Sequence, residues 1–352
     1  MGFRFRTDEH RGLIFGLAYL ATSAIFFADI VNASESMRRI PDEYETVGGH
    51  SLGMAEGGSV ATGGVSAVRL NPAMLSQEKT YSVGAGWNWP VSGREFYQAG
   101  VVDSKTGPVA AGVSYTSAMN DYIVPGSPEA IAEDPGIDSP IKRRVALGFS
   151  QSFKLLAIGV GGQFIQGRSV GGEKGQDIEP GRETRGTTLS AGVAALINPQ
   201  VRIGLSGENI SNRKIADMAP QTIRAGLAWI LTGGDVTLHL DYRQRERVAA
   251  FEGPTVTTSL GFGVAEQEAD EAERGYTKPE QMVITSASAR VQDFLRLMAG
   301  YGQSLGEDER RSLAAGVALV SNRMSLSWTA SRPWLPMSET HQAINFGFEL
   351  SM

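Results

Sequence analysis

The chain has no cysteine, so it holds no disulfide framework, thiolate zinc site or cysteine nucleophile. It also lacks a basic excess. Its 32 Lys and Arg stand against 38 Asp and Glu, a formal net charge of -6, which argues against a surface built to neutralise nucleic-acid phosphates. Histidine is scarce: His10, His50, His239 and His341 are far apart, and no two lie at metal-ligand spacing. Gly159-Val160-Gly161-Gly162 lies in a strand-like stretch and precedes no helix, so it is not a nucleotide loop. No catalytic constellation, metal site or cofactor is legible, and the expectation is a protein that is not an enzyme. Past the N-terminus no stretch approaches the ~18 apolar residues of a spanning helix, and the mean hydropathy is -0.14. Neither observation bears on a membrane β-barrel, whose strands alternate apolar and polar residues.

Glycine, by contrast, is abundant. It fills 43 of 352 positions, about 12% against a usual share of roughly 7%. The N-terminus has the layout of a secretory signal peptide. Arg4, Arg6 and Arg11 precede an apolar run from Leu13 to Phe27, and Val31-Asn32-Ala33 offers small residues where a signal peptidase reads. Cleavage is expected after Ala33.

Most of the remaining chain alternates with a period of two, the signature of strands with one apolar face. Tyr81, Val83, Ala85, Trp87 and Trp89 oppose Ser82, Gly84, Gly86 and Asn88. Val236, Leu238, Leu240 and Tyr242 oppose Thr237, His239, Asp241 and Arg243, and the chain ends with Ile344, Phe346, Phe348 and Leu350 against Asn345, Gly347, Glu349 and Ser351. A soluble β-protein would turn the apolar face inward. A transmembrane barrel turns it toward lipid and keeps Gly, Ser, Thr and charged residues in the lumen. The strands run to about 10 residues, enough to cross a bilayer when tilted. Aromatics sit near their ends, where an interfacial girdle would lie.

The spacing predicts strands near 80–89, 94–103, 108–117, 141–151, 155–167, 185–197, 200–210, 221–231, 235–245, 281–291, 294–303, 310–320, 323–331 and 341–352. Every second connection is short and most of the others are longer, as in bacterial outer-membrane barrels. The fold class expected is therefore all-β, a 14-stranded antiparallel transmembrane β-barrel. Residues 255–265 also look like a strand. Counted as spanning, they would invert every later loop, so they are assigned to the outer loop 246–280, with sixteen strands as the alternative.

Residues 48–76 differ from the rest. They are rich in glycine and small residues, show no lipid-facing period, and carry too many apolar side chains (Leu52, Met54, Val60, Val65, Val68, Leu70) for a linker. A compact plug inside the barrel is expected. Ser51-Leu52-Gly53-Met54, then Ser66-Ala67-Val68-Arg69-Leu70-Asn71-Pro72-Ala73, resembles the N-terminal hatch of the FadL superfamily of hydrophobic-compound transporters. Glu208 to Ser211, followed by Arg224 and Gly226, resembles the branch that includes PorV-type secretion proteins. This sequence departs from the hatch pattern at Gly63, Gly64 and Met74, so the resemblance implies a remote member and leaves fatty-acid specificity aside.

The expected domains are a signal peptide over 1–33, a periplasmic N-terminus and lumenal plug over 34–79, and the barrel over 80–352. The residues expected to form the plug and meet a ligand are Leu52, Met54, Asn71, Pro72, Ala73 and Met74. Pro72 fixes φ, and Asn71 can bond its own backbone in a turn. Inward Arg144, Arg202, Arg224, Asp241, Arg243, Arg296 and Glu349 are expected to form a lumenal charge network, since buried charges of both signs need partners. The function expected is an outer-membrane channel for small hydrophobic, fatty-acid-like molecules, monomeric and set among outer-membrane lipid and lipopolysaccharide. The alternative is a PorV-like scaffold that docks secreted or surface proteins.

Overall fold

A sheet with one apolar and one polar face has to place the two faces in different surroundings, and here closure into a barrel does so. The computed structural model describes residues 53–55, 57–60, 63–90, 96–118, 141–168, 183–211, 215, 219–231, 235–248, 276–305, 311–321, 324–334 and 343–351. Among them the strands are β1 (Tyr81–Pro90), β2 (Phe96–Asp103), β3 (Ala110–Ala118), β4 (Ile141–Phe153), β5 (Leu156–Arg168), β6 (Glu183–Asn198) and β7 (Val201–Glu208). They continue as β8 (Thr222–Leu231), β9 (Val236–Val248), β10 (Tyr276–Gln292), β11 (Leu295–Ser304), β12 (Arg311–Val320), β13 (Met324–Trp334) and β14 (Ala343–Ser351). Each pairs antiparallel with the next. The ring closes where β1 meets β14, with Trp87 opposite Phe346 and Gly84 opposite Glu349. Among the described residues no helix is long and apolar enough to cross a membrane.

The large apolar side chains point outward. Leu147, Phe149, Val160, Leu189, Leu205 and Trp229 are exposed, while Gln98, Thr116, Arg144, Ser150 and Ser190 are buried inside. This is the reverse of a soluble barrel. Trp87 of β1 and Tyr97 of β2 stack on the outer face, ring centroids 6.0 Å apart.

Strand positions follow the sequence reading to within a few residues, with two corrections. β9 runs on to Val248 and β10 begins at Tyr276, so the connection between them is shorter than 246–280. The pairing of these extensions carries a register shift between Thr277 and Glu280. Pro279 falls in that shift, where the lack of an N–H costs no ladder bond. β7 stops at Glu208, before the expected 210, because Asn209 takes a positive φ of 57°. The signal peptide, Leu52 and residues 255–265 lie outside the described residues.

Within the ring the segment ahead of β1 folds into a helix, α1 (Gly64–Leu70), and a 3₁₀ turn (Pro72–Ser76). Val65, Val68, Met74 and Leu75 pack with Val102, Ala110, Ala146, Ala157 and Ala194 of the wall in one apolar cluster. Met54 packs separately on Met298 of β11 and Ala318 of β12. At the other end of β7 the chain turns inward. Ile215 and Ala219 meet Ile165 of β5, and Asn209 bridges Thr188 Oγ1 and the Pro220 carbonyl at 3.0 and 3.1 Å.

Candidate functional site

The inner segment rests directly on backbone, because the wall beneath it carries glycines. A side chain at Gly100 would collide with Val65, at Gly112 with Val68, and at Gly159 with the peptide between Pro72 and Ala73. At Gly192 it would strike Asn71, and at Gly204 Val60. Further round the ring, Gly226 lies under Ser59 and Gly300 under Met54 and Ala55. The wall glycines thus trace the path of the segment, which accounts for much of the inward-facing glycine. Here glycine serves for close approach more than for unusual dihedrals.

This contact gives a direct test. Gly159→Val would push a branched side chain into the Pro72–Ala73 backbone, and overpacking of this kind costs about 1–3 kcal/mol. The expected result is faster protease cleavage within 48–76 with the barrel intact. Val160→Ala, one residue away on the outer face, is expected to leave cleavage unchanged.

Polar anchors fix the segment at several points. Asn71 Oδ1 accepts from the Ala73 N–H at 3.1 Å and caps the 3₁₀ turn that begins at Pro72. Ser206 Oγ of β7 donates to the Leu70 carbonyl at 2.7 Å, and Ser150 Oγ of β4 donates to the Ala73 carbonyl at 2.9 Å. Wall serines thereby satisfy carbonyls that the end of a helix leaves open. Asp241 of β9 holds the stretch before α1. Its carboxylate accepts from the Gly58 N–H at 2.8 Å, from the Ser59 N–H at 3.1 Å and from Ser59 Oγ. Gly58 has φ 83°, a conformation that few residues other than glycine adopt, and this turns its N–H onto the carboxylate.

The strongest anchor is ionic. Glu208 Oε1 accepts from Arg69 of α1 through Nε at 3.0 Å and Nη2 at 2.9 Å, and from Gln163 Nε2 at 3.2 Å. Its Oε2 accepts from Arg224 Nη1 at 3.0 Å, and Arg144 Nη1 stands 4.0 Å from Oε1. All five side chains are buried. One carboxylate gathers three guanidiniums from α1, β4 and β8, so the helix is tied through Glu208 to the arc of wall from β4 to β8. Charge-assisted bonds of this kind are short and strong where water is excluded.

Of the residues singled out in the sequence, Met54, Asn71, Pro72, Ala73 and Met74 lie together in the inner segment, all buried. Arg144 and Arg224 join Glu208, Asp241 holds Gly58 and Ser59, and Arg243 Nη2 reaches Met282 Sδ at 3.4 Å. Arg202 lies half-buried on β7, on the inward-facing alternation. Arg296 is half-buried on β11 and is not brought into the Glu208 cluster. For Glu349 only its register is described, opposite Gly84 and Ser325. Sequence reasoning missed Glu208 and Arg69 as a pair, although both stood in the quoted motifs. Inward placement of Glu208 by strand alternation was the one available signal. Among the described residues no group of three or more His, Asp or Glu side chains could hold a metal ion.

No protein-family model and no curated protein matches the chain. Solved structures do. The chain is similar to the CymD monoaromatic hydrocarbon channel at TM-score 0.58 and 12% identity, over 89% of this chain and 98% of that one. The Ralstonia pickettii toluene transporter TbuX follows at TM-score 0.54 and 14% identity, over 88% and 98%. A Pseudomonas aeruginosa FadL homologue aligns at TM-score 0.54 and 10% identity, over 86% and 97%. The fold is that of the FadL-type transporters.

Proposed function

We propose that the chain is an outer-membrane channel for small hydrophobic molecules, with residues 48–76 as its plug. The observation that carries this reading is the helix-and-turn segment bound inside a barrel whose outer face is apolar. Lipopolysaccharide excludes apolar solutes, so such molecules need a protein path, and a path this wide needs a stopper. The strands β1 to β14 are taken as the whole wall, with 255–265 in an outer loop and the short turns on the periplasmic side. Among solved neighbours TbuX and TodX are described as toluene transporters and CymD as a monoaromatic hydrocarbon channel, which supports a compact apolar ligand more than a fatty acid. The docking alternative draws no support from these neighbours.

Deleting 48–76 removes no strand, so the shortened chain is expected to insert. In planar bilayers it is expected to conduct ions well above the wild-type level, and cells carrying it are expected to lose selective toluene uptake. A deletion that conducts no better than wild type would show that the segment is not the stopper.

A further inference from the structure

On the inner face one lateral row crosses four strands. Arg202 of β7, Ala228 of β8, His239 of β9 and Ser286 of β10 are register partners in turn. The inner segment is seated one inward position along, with Val60 over Gly204 and Ser59 over Gly226, and it passes Ser286 at Gly57. The row carries polar atoms that the fold does not bond. Both ring nitrogens of His239, Ser286 Oγ and Arg202 Nε are buried with no hydrogen-bond partner. His239 is 5% exposed and Ser286 7%, so bulk water does not serve them. Among the described residues no carboxylate pairs with Arg202. Asp241, two residues on along β9, is committed to Gly58 and Ser59. The charge network expected from the sequence therefore does not extend to Arg202.

We propose that this row binds the carboxylate of a compact aromatic acid, of which benzoate is the simplest case. As a step on a path past the plug, the site rests on the channel reading given above. A partly buried guanidinium with no acid beside it calls for an anion. Its planar fork presents two parallel N–H groups that match a carboxylate. A neutral imidazole adds one N–H donor, and the Ser286 hydroxyl adds one O–H. These donors together match the lone-pair sites of a single carboxylate. Arg202 and His239 stand two strands apart, about 10 Å between backbones. Only the methyl of Ala228 lies between them, so a carboxylate above it is met from both sides. Leu196, the register partner of Arg202, and Ile230, two residues from Ala228, are half-buried on the same face and offer the ring apolar contact.

Calorimetric titration of the full chain in detergent micelles at neutral pH tests this, with sodium benzoate as the probe and benzamide as its uncharged counterpart. The wild type is expected to bind benzoate at one site, at least about tenfold more tightly than benzamide. Arg202→Met is expected to weaken benzoate at least about tenfold, and Arg202→Lys by less, because an ammonium keeps the charge but loses the fork. His239→Phe keeps the ring and removes both nitrogens, and is expected to weaken benzoate by a smaller factor. Arg296→Met, a half-buried inward cation outside the row, is expected to bind as the wild type does. Urea unfolding guards against misfolded variants: benzoate is expected to raise the midpoint of the wild type and leave that of Arg202→Met unmoved. Equal affinity for benzoate and benzamide would overturn the carboxylate assignment. Equal losses in Arg202→Met and Arg296→Met would overturn the row as the site. A wild type that binds no benzoate, while its 48–76 deletion still conducts, would overturn the site and leave the channel reading standing. Benzoate binding in a chain whose deletion does not conduct would overturn the channel reading and leave the site.

Discussion

Glu208→Ala is expected to destabilise the folded barrel by about 3–5 kcal/mol, the usual cost of removing one partner from a buried ionic cluster. Arg69, Arg144 and Arg224 all converge on this carboxylate, and none of the three is exposed. The loss therefore falls on one helix and two strands at once. Urea unfolding in detergent micelles would read it as a lowered midpoint. Arg69→Met removes a charge but keeps an apolar stem, and is expected to cost less, because Glu208 keeps its bond to Arg224. If Glu208→Ala unfolds with the wild-type midpoint, the cluster does not hold the segment.

Leu240→Arg is expected to cost about 2–4 kcal/mol of membrane insertion if the residue lies near the bilayer midplane. Leu240 is 47% exposed on the outer face, and its neighbour Asp241 is buried on the inner face. Asp241→Asn is expected to leave insertion unchanged while loosening Gly58 and Ser59, since an amide is a weaker acceptor than a carboxylate for three donors. Refolding into vesicles of graded thickness separates the two. Equal tolerance at both positions would contradict the lipid-facing assignment.

The period-two pattern made the wall legible. Val83, Trp87, Leu238 and Leu240 announced an outer face, and Gly84, Asn88, His239 and Asp241 an inner one, before any pairing was known. What stayed hidden depended on lateral register. Glu208 lies one strand from Arg224 and far in sequence from Arg69, and no linear pattern says that these three share a level of the ring. The start of β10 was hidden for another reason: Thr277, Lys278, Pro279 and Glu280 lack alternating apolar residues, and proline usually marks a loop. Helix α1 was hidden because GVSAVRL has no side-chain cap at Gly63 and carries two β-branched residues. Packing against the wall, more than helix propensity, makes it helical.

The long reach of the anchors has a consequence for how the chain folds. Gly58 meets Asp241 across 183 residues of sequence, and Arg69 meets Glu208 across 139. The second contact needs β7 and the first needs β9, so each arrives after a large loop-closure cost has been met. The segment ahead of β1 thus settles only after more than half of the strands are in place, and the seam between β1 and β14 joins the two ends of the strand order. A chain truncated after β9 would still hold both anchors. Such a fragment would lack the seam, and its inner segment would have a cradle open at one edge.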